Sequence, residues 1–120
     1  MPNRRYNKTI AGYHMLMLLS ALDFEFHIEE DKIIREYIFQ EFPFQVDLDR
    51  EMEVISNLLH SEWKEHFIKC MDDFYLDATE EERINFLKFA VYLIKADEEI
   101  TEKENEYLQM LFDACDFAHD

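Results

Sequence analysis

The sequence predicts an all-α fold, a single compact bundle of about six helices, and three observations support this fold class. The chain has one glycine and two prolines in 120 residues, so it lacks most of the turn chemistry that β-hairpins need. Apolar residues recur at helical spacing along most of the chain. The hydrophobic content of 48% is ample for a core. We therefore expect one helical domain over residues 1–120.

The first two helices follow from the apolar spacing. A helix that is buried on most sides is predicted over residues 9–22, and an amphipathic helix over residues 28–41. The second helix ends before Pro43, because the residue that precedes a proline disfavours helical backbone.

A third and a fourth helix form the middle of the chain. The third begins after Asp47, whose side chain is a favoured N-cap. The fourth carries Trp63, Phe67 and Phe74 on one apolar stripe. Two alternatives stay open here, since the fourth helix is either continuous with the third or bent near Ser61.

The last two helices have clearer starting points. Thr79 and Glu82 have the spacing of a capping box, which predicts the start of the fifth helix. This helix is apolar on most of its circumference, so we expect it to be central in the bundle. The sixth helix is predicted over residues 102–116.

The charge of the chain limits its partners. With 28 acidic and 12 basic residues, the formal net charge is −16. Such a chain repels phosphate backbones and anionic membranes, and it attracts cations or basic proteins. We therefore expect a protein partner with a basic surface and no nucleic acid. The sequence does not predict the oligomeric state.

The cellular location is predicted from the cysteines and from the start of the chain. Cys70 and Cys115 lie on apolar helix faces, where reduced, buried thiols are usual, and they favour neither a disulfide framework nor a cysteine zinc site. Basic residues followed by an apolar run resemble a signal peptide, but the run contains His14 and lacks a small-x-small cleavage site. It is also too short to span a bilayer. We expect a cytoplasmic protein without membrane insertion.

The chain contains an internal repeat. Its copies cover about residues 10–39 and about residues 84–115, and a shift of 74 positions pairs them without a gap. Each copy reads as a helix, a short acidic turn and a second helix. The shift pairs the acidic residues Asp23 with Asp97, Glu25 with Glu99, and Glu30 with Glu104.

These six acidic residues permit two interpretations. Carboxylates that meet the free carbonyl groups of a helix end form an all-oxygen environment, which suits Ca²⁺ or Mg²⁺. The alternative is a solvated turn, since Thr101 and Glu104 have the spacing of a capping box. Capping explains the first copy less well, because His27 occupies the cap position and histidine is not a favoured cap.

The two acidic turns share a motif. Residues 96–104, ADEEITEKE, and residues 22–30, LDFEFHIEE, each have an Asp after an apolar helix, an apolar residue three positions later and a Glu seven positions later. This pattern resembles the TerB-like tellurite-resistance family, whose motif is roughly ADG-x-I-[ST]-x-x-E. The glycine of that motif is replaced by Glu98 and Phe24, and His27 replaces the Ser or Thr.

The resemblance implies an all-helical domain of stress-response systems, in which acidic residues are suspected metal ligands and related domains are attached to co-chaperones. Carried over to this chain, it nominates Asp23, Glu30, Asp97 and Glu104 as ligands of a divalent metal ion. The repeat in this sequence adds Glu25 and Glu99.

Enzyme motifs are lacking in the sequence, so we expect a non-catalytic domain. There is no Glu-x-x-His pair for a di-iron bundle and no His-Glu-x-x-His zinc helix. The five histidines are scattered. Glu62 and His66 share a helix face, which predicts a hydrogen-bonded surface pair, because two ligands alone make no metal site.

A second functional hypothesis comes from phenylalanines in predicted turns. Phe24, Phe26, Phe42 and Phe44 would form an exposed apolar patch beside an acidic turn. The chain would then be an acidic protein-protein interaction module, such as a chaperone-associated adaptor, without a specific metal site. A tight loop at Pro43 would instead bury Phe42 and Phe44.

Overall fold

The computed structural model of the chain describes residues 6–22, 28–42, 46–95 and 101–117. The described residues form only helices, so the predicted all-α class is confirmed. They comprise α1 (Lys8–Ser20), α2 (Ile28–Glu41), α3 (Leu48–Ser56), a short 3₁₀ helix (His60–Glu62), α4 (Trp63–Asp77), α5 (Glu80–Lys95) and α6 (Glu102–Phe117). None of the described helices combines the length and the apolar character needed to cross a membrane.

α1 is the central helix of the bundle. Ten of its 13 residues are buried, and it packs against α2, α3, α4 and α5. It begins at the N-cap Asn7, whose side chain accepts a hydrogen bond from the backbone of Ile10 at 2.9 Å. It ends earlier than predicted, at Ser20, because the backbone leaves the helical conformation at Ala21.

The prediction that α5 is the central helix was wrong. α5 packs mainly against α1 and α6, and the side chain of Tyr92 is 63% exposed. Its apolar residues also contact α2, where the Tyr37 ring stacks on the Phe89 ring at 4.0 Å. Apolar content marks a helix that contacts others, but it does not rank helices by depth.

The two copies of the repeat form equivalent helix pairs. α1 packs on α2, α5 packs on α6, and α2 and α6 begin 74 positions apart, as the shift requires. The pairs also touch at equivalent positions, since Lys8 Nζ lies 2.9 Å from Glu82 Oε1. A Cβ atom placed on Gly12 would lie only 3.4 Å from the ring of Phe86, its counterpart. The single glycine of the chain therefore sits where the two copies meet.

The middle helices complete the bundle. The side chain of Asp47 caps α3 as predicted, accepting a bond from the Arg50 backbone at 3.1 Å. Between α3 and α4 lies the 3₁₀ helix, so of the two alternatives the break near Ser61 is correct. Glu62 takes part in this break, because its Oε1 accepts the Leu59 backbone N–H at 2.8 Å.

Two further predictions concern the ends of α2 and α5. The capping box at α5 is confirmed, with Thr79 N–H donating to Glu82 Oε1 at 2.8 Å and Glu82 N–H donating to Thr79 Oγ1 at 3.1 Å. Phe42, just after α2, is fully buried and meets the Phe74 ring edge-on at 5.8 Å. Its predicted exposure was therefore wrong, and the alternative of burial holds for Phe42. The other turn residues of that hypothesis, Phe24, Phe26 and Phe44, lie outside the described residues.

Candidate functional site

The acidic turns are described only in part. Glu30 lies in the first turn of α2 and Glu104 in the first turn of α6. The other four predicted ligands lie outside the described residues: Asp23, Glu25, Asp97 and Glu99.

Glu104 has the capping role that its spacing predicted. Thr101 N–H donates to Glu104 Oε1 at 2.8 Å, and Glu104 N–H donates to Thr101 Oγ1 at 3.1 Å. The reciprocal pair satisfies two backbone donors at the start of α6. One carboxylate oxygen of Glu104 thus stabilises the helix start, and this role needs no ion.

The first turn of α2 has a different arrangement. Glu30 is half-buried there between Glu29 and Asp31, and acidic residues at a helix N-terminus are favoured by its partial positive charge. Asp31 accepts hydrogen bonds from the Tyr13 hydroxyl at 2.6 Å and from Arg35 Nε at 3.0 Å. Burial, reinforced by Asp31, raises the pKa of Tyr13. The Asp31 carboxylate therefore links α2 to α1 through the Tyr13 hydroxyl.

A second group of candidate ligands lies inside the bundle. His14 on α1 meets His66 and Cys70 on α4, and one donor atom from each lies within 4.8 Å of the others. His14 and Cys70 are fully buried, and His66 is half-buried. His66 and Cys70 share a helix face because they are four positions apart. The packing of α1 on α4 adds His14.

The hydrogen bonds of this cluster fix its chemistry. His14 Nδ1 lies 2.8 Å from His66 Nε2, and Cys70 Sγ lies 3.5 Å from the same His66 nitrogen. The other nitrogen of His14, Nε2, lies 2.7 Å from Oε1 of Glu51 on α3. Because a carboxylate accepts hydrogen bonds, we assign a proton to His14 Nε2. Glu51 is only 4% exposed, so the pair is shielded from water.

Burial sets the protonation of the two α4 residues. It lowers the pKa of His66 to about 4, with further lowering by His14 and Lys69. It raises the pKa of the Cys70 thiol to about 12. With no metal bound, His66 is therefore neutral and Cys70 is a thiol near neutral pH.

The Tyr6 ring packs on one side of the cluster, and a surface cleft lies on another side. The Tyr6 ring lies 4.7 Å from the His14 ring, centroid to centroid, and Lys69 Nζ lies 4.2 Å from the Tyr6 centroid. Lys69 also forms an ion pair of 2.6 Å with Asp73. A surface cleft of about 330 Å³ adjoins His66, and its lining consists of Leu58, Glu62, Glu65, His66 and Lys69.

Sequence reasoning missed this cluster. The predicted surface pair of Glu62 and His66 was wrong, because His66 directs Nε2 at His14 while Glu62 Oε1 bonds the Leu59 backbone. One feature of the sequence pointed to it. Glu51 lies on the apolar stripe of α3, where a carboxylate requires a buried partner.

No protein-family model, curated protein or solved structure matches this chain. The TerB-like resemblance therefore rests on the sequence motif and on its repetition, and it stays a prediction.

Proposed function

We propose that this chain is a non-catalytic, TerB-like stress-response domain of the tellurite-resistance type, and that it binds a divalent cation through its paired acidic interhelical turns. The observation that carries the proposal is the register of the two helix pairs. α2 and α6 begin at equivalent positions, and each follows directly on one copy of the acidic motif. The repeat therefore holds for the starts of α2 and α6 as well as for the sequence.

The chemistry of the turns favours a hard cation. Oxygen ligands from carboxylates and backbone carbonyls suit Ca²⁺ and Mg²⁺, and the formal charge of −16 raises the local concentration of any cation. In the second turn, Oε1 of Glu104 is engaged by the Thr101 backbone. A cation there would be held by Glu104 Oε2 together with Asp97 and Glu99, and in the first turn by Asp23, Glu25 and Glu30.

Thermal unfolding tests this proposal. A ligand that binds only the folded state stabilises it by mass action, by about 2.7 kcal/mol at one hundred times the dissociation constant. We expect Ca²⁺ or Mg²⁺ to raise the melting temperature, and we expect the double variant Asp23→Asn with Asp97→Asn to abolish that rise.

The control accounts for screening, because any strongly acidic protein gains some stability from divalent ions. The double variant Glu53→Gln with Glu81→Gln removes the same charge from exposed positions on α3 and α5. An equal loss of the cation effect in both double variants would show that the turns hold no specific ion.

The second candidate function, an acidic interaction module for a basic protein partner, is favoured by one observation. Ile28, the first residue of α2, is 87% exposed and adjoins the first acidic turn. A large apolar side chain at the edge of an acidic surface fits a protein interface.

This alternative predicts a partner that is retained from native lysate, is released by salt and stays bound with a chelator present. Ile28→Ser should weaken retention, whereas Leu76→Ser, a change at an exposed leucine of α4, should not. Release by the chelator would favour the cation-dependent function instead.

A further inference from the structure

We propose that His14, His66 and Cys70 bind a borderline-soft transition metal ion, of which Zn²⁺ is the representative, and that Glu51 orients His14 for this role. This site is separate from the acidic turns and takes a different class of ion. Imidazole and thiolate ligands select zinc and its neighbours, whereas carboxylate turns select Ca²⁺ or Mg²⁺.

The three ligand atoms lie within 4.8 Å of one another, so side-chain shifts of up to about 1.3 Å bring them to the spacing of tetrahedral zinc. Zinc-nitrogen bonds of about 2.0 Å and zinc-sulfur bonds of about 2.3 Å place ligand atoms about 3.3 to 3.6 Å apart. The separation of Cys70 Sγ and His66 Nε2 is already 3.5 Å. The two nitrogens, 2.8 Å apart, would separate by about half an ångström to reach the tetrahedral spacing. His66 is able to move, since it is half-buried beside the cleft.

Glu51 supplies the outer support that metal-bound histidines have. A histidine ligand usually donates its second N–H to a carboxylate, which fixes the tautomer and aims the other nitrogen at the metal. Here His14 Nε2 faces Glu51 Oε1 at 2.7 Å, so His14 Nδ1 is the nitrogen left to face the cluster. Both groups are buried, His14 fully and Glu51 with 4% exposed. The orientation is therefore set before a metal arrives.

The metal would take the place of a proton. Two nitrogen lone pairs cannot face each other at 2.8 Å, so a proton lies between His14 and His66 when no metal is bound. On binding, that proton moves to His66 Nδ1 or to solvent, and the thiol proton of Cys70 leaves to solvent. Each nitrogen and the sulfur then donates one electron pair to the ion, and no oxidation occurs.

The charges of the filled site balance. A divalent ion, the Cys70 thiolate and the Glu51 carboxylate sum to zero, so the interior gains no net charge. The cleft beside His66 gives the ion a route from solvent and gives water access as a fourth ligand.

The competing explanation is a hydrogen-bonded network with no metal. In it His14 Nε2–H donates to Glu51, one proton is shared between His14 Nδ1 and His66 Nε2, and each of these buried polar groups is satisfied. The two explanations differ in whether Cys70 becomes a metal-bound thiolate.

Cobalt(II), a spectroscopic substitute for Zn²⁺, tests this difference in the full chain. We use a Cys115→Ser background so that Cys70 is the single cysteine. Co²⁺ should produce an intense near-ultraviolet thiolate-to-metal band that saturates at one equivalent and is displaced by Zn²⁺. Cys70→Ser should abolish the band, and an excess of Ca²⁺ or Mg²⁺ should leave it unchanged.

Competition with a chromophoric zinc chelator gives the affinities of further variants. Glu51→Gln keeps the shape of Glu51 and should weaken Zn²⁺ binding by about 10 to 100-fold, the usual effect of losing an outer partner. His66→Gln should weaken it at least about tenfold, since it removes a ligand. His60→Gln changes an exposed histidine of the 3₁₀ helix and should have no effect.

Circular dichroism without metal establishes that each variant is folded. His66→Gln keeps the test valid if Cys70→Ser fails to fold, because His66 is the least buried ligand. The proposal is overturned if folded protein gives no thiolate band, if the band survives Cys70→Ser, or if Zn²⁺ affinity is the same in His66→Gln and in His60→Gln.

Discussion

Removing the carboxylate of Glu51 should destabilise the fold even when no metal is present. In Glu51→Leu, the His14 N–H that faces Glu51 at 2.7 Å loses its acceptor. His14 is fully buried, so water cannot replace the lost partner. A buried donor left unsatisfied costs about 1–3 kcal/mol, and a broken buried ion pair about 3–5 kcal/mol. We expect a loss of about 3 kcal/mol in the free energy of unfolding.

Urea denaturation with a chelator present measures this loss. Small domains have urea m-values of about 1–3 kcal/mol/M, so at about 1.5 kcal/mol/M the midpoint of Glu51→Leu should fall by about 2 M. Glu53→Leu, at an exposed position of the same helix, should change stability by no more than about 0.5 kcal/mol.

A double variant separates the lost hydrogen bond from the change in packing. His14→Leu combined with Glu51→Leu removes both partners, which is less costly than leaving one alone. His66 then loses its His14 contact, but it is half-buried and adjoins the cleft, where water can reach it. If Glu51→Leu has the stability of the unaltered chain, or if the double variant is less stable than Glu51→Leu, then the Glu51 carboxylate does not stabilise the fold by accepting the His14 N–H.

Two further predictions concern pH and capping. Burial lowers the pKa of His66 from its ordinary value of 6.5 to about 4 in the folded chain, so the stability linked to neutral His66 is fully present above pH 6.5 and is lost as the pH falls through about 4. Allowing for the partial exposure of His66, the free energies of unfolding measured in urea at pH 7.5 and pH 5 should differ by no more than about 2 kcal/mol from this cause, and His66→Gln should reduce the difference. Thr79→Ala removes the oxygen that accepts the Glu82 N–H and should cost about 1 kcal/mol, or about 4 °C in melting temperature. Thr101→Ala breaks the matching box of α6 and should cost the same in chelator, and a clearly smaller loss at either threonine would contradict the capping assignment.

The helices could be predicted where local chemistry determines them. The bounds of α2 agree with the prediction at both ends, and the caps at Asp47, Thr79 and Thr101 all form. Each of these features depends on residues a few positions apart. Which helix is central depends on how whole helices pack, and apolar content could not distinguish α1 from α5 in this respect.

The interior cluster could be predicted only in part, because it depends both on local spacing and on how whole helices pack. The four-residue spacing of His66 and Cys70 places them on one face of α4, and Glu51 lies on the buried stripe of α3. The contact of His14 with His66 joins residues 52 positions apart, so it requires the packing of α1 on α4. The acidic turns were the stronger sequence motif, but four of their six residues lie outside the described part of the chain.

The two helix pairs meet at equivalent positions, but they contribute differently to the interior cluster. The shift of 74 positions places His14 of the first pair opposite Lys88 of the second, and Lys88 is exposed. The other members of the cluster come from α3 and α4, the segment that separates the copies. Only the first pair therefore carries an inward-facing imidazole at this position. The two pairs are alike in their helices but not in their interiors, so exchanging them would remove the cluster.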